Sequence, residues 1–142
     1  MNELMIQESD LELVEALHRF SDGELPMPFE RDIFLLGVAA AGADYAPNIE
    51  ALYGAIQEGD LVKLIREPDN FFDEYAIRLE AESELLPASG EGFSRKLGYI
   101  PRANNKVFAR LMDAGKQLYG LVRVKEHGDN YYRIVVKIYM KD

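Results

Sequence analysis

Two neighbouring phenylalanines, Phe71 and Phe72, stand in a polar run, with Arg66-Glu67-Pro68-Asp69-Asn70 before them and Asp73-Glu74 after. Further along, Leu97-Gly-Tyr-Ile-Pro-Arg102 places a ring, Tyr99, close to a guanidinium, Arg102. Rings offer platforms for bases and cations neutralise phosphates, the combination by which small β folds hold single-stranded nucleic acid. The segment after Arg102 reads as a helix, and backbone amides at its entrance, at Ala103, Asn104 and Asn105, would attract phosphate. Each piece also has a plainer role. Phe72 could plug a core, Tyr99 could simply pack on its strand, and Arg102 could pair with Asp73 to fasten a turn.

Other chemistries have little to work with. The chain has no cysteine, and its two histidines, His18 and His127, lie far apart. No Gly-x-Ser-x-Gly, P-loop or His-Glu-x-x-His pattern occurs, so the sequence predicts no enzyme and no cofactor. A zinc site needs three or four converging ligands, which an isolated histidine cannot supply. Glu67, Asp69, Asp73 and Glu74 could together attract a divalent cation. Turn formation accounts for Asp69 and Asp73 more simply, so no metal is expected.

The elements that must position these residues are mostly strands. Leu61 to Ile65 is apolar and Ala76 to Glu80 alternates, which predicts two strands joined by a stiff polar corner. Pro68 pre-sets φ there, while Asp and Asn side chains bond turn amides. Asp32 to Ala41 reads as a buried strand from its unbroken apolar character. Ile49 to Ile56 is helix or strand, and its periodicity does not decide between them. Leu85 to Phe93 reads as a flexible loop and Arg95 to Ile100 as a strand that Pro101 ends. Ala103 to Ala114 is a helix with Val107, Leu111 and Ala114 on one face and Phe108 beside them, stopped by Gly115. Lys106 and Arg110 share another face. Lys116–Glu126 and Tyr131–Lys141 are β-rich runs around a hairpin turn at 127–130. Ahead of all this, Ser9 to Phe20 carries capping-box spacing and an apolar face, a short amphipathic helix followed by a linker. The fold class expected is mainly β (α+β): a small, partly open SH3-like or OB-like barrel spanning 29–142, preceded by the helix and linker of 1–28.

A chain of 142 residues at 48% hydrophobic suits one domain with a real core. No stretch is long and apolar enough to span a bilayer, and the first residues lack a signal-peptide pattern, so a cytoplasmic protein with no membrane partner is the plain reading. The net charge of −9 opposes bulk affinity for nucleic acid. Its distribution is uneven: residues 1–60 hold 13 acids and 2 bases, whereas residues 92–142 hold 4 acids and 11 bases. Either the surface is polarised or the bases only decorate solvated strand faces.

The two runs, in this order, resemble the HIRAN domain family. Its hallmark is Arg-Glu-Pro-Asn/Asp-Asn-Pro-Tyr-Asp-x-Asn-Ala-Ile, then Leu-Gly-Tyr-Ile-Pro-Arg and a short helix; the likeness covers roughly residues 32 to 141. Phe71 replaces the usual Pro, Phe72 the usual Tyr and Tyr75 the usual Asn. The resemblance implies a barrel that recognises the 3′ end of single-stranded DNA in a repair or replication setting, alongside a helicase or nuclease partner. By position, Asn70 and Asp73 become the polar readers of the terminal nucleotide and Phe72 its stacking ring. Tyr99 and Arg102 supply a further ring and cation, with Tyr45 and Lys106 as additional contacts. The alternative is a non-enzymatic protein-interaction or oligomerisation module, with the N-terminal helix meeting a second copy.

Overall fold

A computed structural model describes residues 31–90 and 92–142; the helix and linker expected over 1–28 lie outside them. Among the described residues the chain forms β1 (Ile33–Ala39), a 3₁₀ turn (Ala43–Tyr45), α1 (Ile49–Ala55), β2 (Leu61–Arg66), β3 (Ile77–Ala81) and β4 (Lys96–Tyr99). Then follow α2 (Arg102–Asp113), β5 (Leu118–His127) and β6 (Tyr132–Met140). The six strands make one antiparallel sheet in the order β1-β6-β5-β2-β3-β4, curled into the OB-like half-barrel anticipated from the sequence. No helix among these residues is long and apolar enough to cross a membrane.

The core lies inside the curl. Ile77, Leu79 and Ala81 alternate inward along β3, and Val62, Leu97, Ile134, Val136 and Ile138 meet them from the neighbouring strands. Alternation sends Arg78 and Glu80 to the other face, where they become available to the corner that joins β2 to β3. The open segment 49–56 resolves as helix, with Ile49 and Leu52 buried and Ile56 behind them.

The sheet's two edges are stitched together just past β1. Ala41 and Tyr99 exchange both backbone hydrogen bonds, at 2.7 and 2.9 Å. That approach requires the glycine of the Leu-Gly-Tyr-Ile-Pro-Arg run. Gly98 has φ +143°, and a Cβ there would lie 2.5 Å from the Ala41 carbonyl oxygen.

Two expectations need correction. β1 is not buried: Phe34 and Leu36 are exposed and only Val38 is fully enclosed, because the strand occupies a sheet edge. The inward face of α2 is Asn105, Phe108 and Ala109, whereas Val107 and Ala114 face solvent. The buried position taken by a polar Asn disguises the true stripe. At the start of the loop expected over Leu85 to Phe93, the Arg95 guanidinium donates to the carbonyls of Ala81, Leu86 and Pro87.

Candidate nucleic-acid interface

The β2–β3 corner is built by one amide. Asn70 Oδ1 accepts the N–H groups of Phe72 and Asp73 at 2.8 and 3.0 Å, which fixes the orientation of the side chain, since only the oxygen can accept. Its Nδ2 then donates to Glu67 Oε1 at 2.9 Å. Asp73 repeats the device, its Oδ1 accepting the Tyr75 amide at 2.9 Å. Backbone bonds from Glu67 to Ala76 and from Asn70 to Glu67 complete the turn.

Two long-range anchors hold this corner to the barrel. The first centres on Glu67, whose Oε1 also accepts from the Tyr99 hydroxyl at 3.0 Å, while Oε2 pairs with Arg78. Arg78 bonds Glu80 in turn, at 2.9 Å, and Lys96 sits 4.6 Å above the Tyr99 ring. Burial pushes the Glu67 carboxyl up, but the bonds from Asn70 and Tyr99 and the charges of Arg78 and Lys96 together bring it below its ordinary value. Burial, with the bonded Glu67 carboxylate, pushes the Tyr99 hydroxyl up. Tyr99 therefore stays protonated as a donor.

The second anchor is Asp73. Its Oδ2 accepts from Asn105 Nδ2 at 2.8 Å and from Arg102 Nε at 3.2 Å, and Arg102 Nη2 donates to the Phe72 carbonyl. The Tyr75 amide, then Asn105 and Arg102, hold the Asp73 carboxyl below its usual range against a smaller burial effect. Asn105 is buried and makes the inner half of this latch; the mostly exposed Arg102 makes the outer half. The plainer role considered for Arg102, fastening the corner, is thus realised in the geometry.

What the braced corner presents outward is aromatic. Phe71 and Phe72 are 91% and 80% exposed, with centroids 5.1 Å apart and planes at 87°. Phe72 is not a core plug. Lys106, one turn past Arg102, lies 5.6 Å from the centroid of the half-buried Tyr75 ring. Arg110 is exposed near the far end of α2, and Asp113 at that end is paired with Arg66 at 3.0 Å. Tyr45, 87% exposed, sits on the 3₁₀ turn that packs against β4, the strand of Tyr99.

So Asn70, Phe72, Asp73, Tyr99 and Arg102 converge on one corner, with Lys106 beside it and Tyr45 on a neighbouring turn. Glu67, Arg78 and Asn105 complete the corner: the sequence offers Glu67 as part of a carboxylate cluster and Asn105 as a helix-entrance amide, and their roles as braces were not anticipated. Among the described residues, no three carboxylate or imidazole groups converge on a metal-sized site.

A family model described as HIRAN domain matches residues 33–141. Among solved structures, the crystal structure of a protein from Lactobacillus plantarum aligns with a TM-score of 0.63 at 29% identity, covering 77% of this chain and 94% of that one. The crystal structure of the HIRAN domain of human HLTF aligns at 0.50 and 17% identity, over 78% of this chain and 81% of that one, a likeness of fold. No curated protein matches.

Proposed function

The chain belongs to the HIRAN domain family, and from that premise we propose that it is a binding domain for single-stranded DNA that takes hold of the 3′ end at the β2–β3 corner. The observation that carries this reading is the pair of exposed rings, Phe71 and Phe72, on a corner whose own polar groups brace it. A preorganised platform binds with less ordering cost than a mobile one. Phe72 is the stacking ring.

The hydrogen-bond inventory narrows what remains for reading the terminus. Asn70 Nδ2 carries two hydrogens, of which one goes to Glu67; the Asp73 carboxylate has about four acceptor positions, of which three are taken. One donor and one acceptor are left, which suits a hydroxyl. A 3′-hydroxyl donates to Asp73 and accepts from Asn70, whereas a 3′-phosphate meets a carboxylate of like charge. Arg102 and Lys106 neutralise the adjoining backbone, with Tyr99 and Tyr45 as flanking rings. In this reading the domain performs no catalysis itself and delivers DNA ends to a helicase or nuclease in repair or replication.

Titration with oligonucleotides bearing a 3′-hydroxyl or a 3′-phosphate tests this. The hydroxyl end is expected to bind more tightly; equal affinity would remove end recognition, and no binding to either would remove the function. Phe72→Ala should cost about 1–3 kcal/mol of binding, the range for one base-stacking ring. Because Phe72 is exposed, that loss comes without a core cavity, and Phe72→Tyr should bind at least as well.

A second reading, a protein-interaction module, is favoured by the exposed Phe34 and Leu36 on edge strand β1. Sedimentation of the protein with and without a Phe34→Lys, Leu36→Lys double change would reveal a self-association that depends on them.

A further inference from the structure

A second aromatic group stands away from the corner, where α1 meets the β5–β6 hairpin. Tyr53 packs edge to face against His127 and Tyr132 beside a cavity of about 410 Å³ that Glu50, Gly54 and Lys125 also line. The Tyr53 centroid lies 5.0 Å from that of His127 and 5.5 Å from that of Tyr132. Lys125 Nζ donates to the Tyr53 carbonyl at 2.8 Å and sits 4.7 Å over the Tyr53 ring. His127 and Glu50 are exposed, and the other two rings are half-buried.

The cavity is lined by one cation, Lys125, and one carboxylate, Glu50, and it is the cation that lies over a ring. Lys125 already places positive charge on the Tyr53 face, so a cationic ligand such as a quaternary ammonium is repelled from the ring it would otherwise seek. A planar base followed by a phosphate suits the same rings and the same cation. The volume falls in the range of sites for small planar ligands, roughly 300–1,000 Å³.

The cluster is tied to the corner through one short segment. Ala41 is bonded backbone to backbone with Tyr99, and Asp44 Oδ1 accepts the Tyr132 N–H at 2.6 Å. Ala41 and Asp44 are three residues apart, so these two anchor points lie within about 10 Å of each other. Tyr45, at the end of the same 3₁₀ turn, stands exposed beside the route.

We infer that the Tyr53–His127–Tyr132 cavity is a second base-binding subsite, taking a nucleotide upstream in the strand whose 3′ end the corner holds. This rests on the corner reading, and it extends the footprint beyond the terminal nucleotide.

The test compares 3′-hydroxyl oligothymidylates of three and eight nucleotides, with 2-aminopurine at single positions counted from the 3′ end. Wild-type protein should bind the octamer on the order of tenfold more tightly than the trimer, the low end of one base–ring stack. Fluorescence should be quenched at an upstream position as well as at the terminal one. His127→Ala and Lys125→Gln should each abolish most of that gain and the upstream quenching, while leaving trimer affinity unchanged, which also reports a folded corner. A gain that persists in both variants, or no gain in wild type, overturns the subsite and leaves the corner reading intact. Failure of wild type to hold either length overturns the corner reading, and the subsite falls with it.

Discussion

At the scale of single residues, the polar side chains of the corner do two jobs, and Glu67 shows which comes first. Its carboxylate gathers Asn70, Tyr99 and Arg78, three groups from three different stretches of chain. Burial alone would raise its pKa, yet the bonds and charges around it lower it, and Asp73 is lowered too, chiefly by the Tyr75 amide and Asn105. A carboxyl whose pKa is lower folded than unfolded stabilises the fold fully above its unfolded value. That contribution is lost as pH falls through the lower folded value. The window therefore opens at about pH 4, where ordinary Asp and Glu titrate, and extends downward. Glu67→Gln removes the charge while keeping the shape. It should cost about 1–3 kcal/mol at pH 7, the range for leaving partly buried partners unsatisfied. The gap from wild type should shrink as pH drops from 5 toward 3, followed by chemical denaturation at each pH. A gap that stays constant would mean that the negative charge of Glu67 contributes nothing to holding the corner.

At the scale of elements, the closure of the half-barrel depends on a glycine within the family motif. Gly98→Ala would put a methyl group against the Ala41 carbonyl in a backbone conformation that L-residues rarely adopt. Strain of this kind costs about 1–3 kcal/mol before the clash is counted. The expected result is a clear fall in melting temperature, with faster hydrogen exchange at the Ala41 and Tyr99 amides than at the β5–β6 ladder. Uniform loss of protection everywhere would mean that the bridge is not a local closure. The strands, the corner and the long helix were legible in the sequence because their signals are local: alternation, Pro and Asn in a turn, Gly after a helix. What pairs with what was not. Glu67 and Tyr99 are far apart in sequence, as are Asp73 and Asn105, and only the sheet order brings them together. β1 looked buried because composition reports apolar character and not edge position. The helix face was read out of phase because Asn105 sits where an apolar residue was expected.

At the scale of the molecule, the basic half of the sequence suggests a broad electrostatic grip, whereas the proposed corner site needs only a narrow one. Arg95 is spent on three carbonyls and Arg133 on Glu126. Lys137 lies over Phe34 and Lys141 over Tyr119, on strands other than those that frame the corner. Beside the corner stand Arg102 and Lys106, with Lys96 near the Tyr99 ring, inside a chain of net charge −9. For a short strand held at the corner alone, two or three phosphate contacts predict a slope of log K against log salt of roughly −1.4 to −2.1, at about −0.7 per contact. Measured by fluorescence anisotropy across a salt series, a slope near zero with intact binding would point away from nucleic acid. A slope several times steeper would mean that cations far from the corner also grip the backbone. Arg102→Gln separates these outcomes. It should flatten the slope by about one contact, and because Arg102 also fastens Asp73 and the Phe72 carbonyl, it should weaken discrimination between 3′-hydroxyl and 3′-phosphate ends as well.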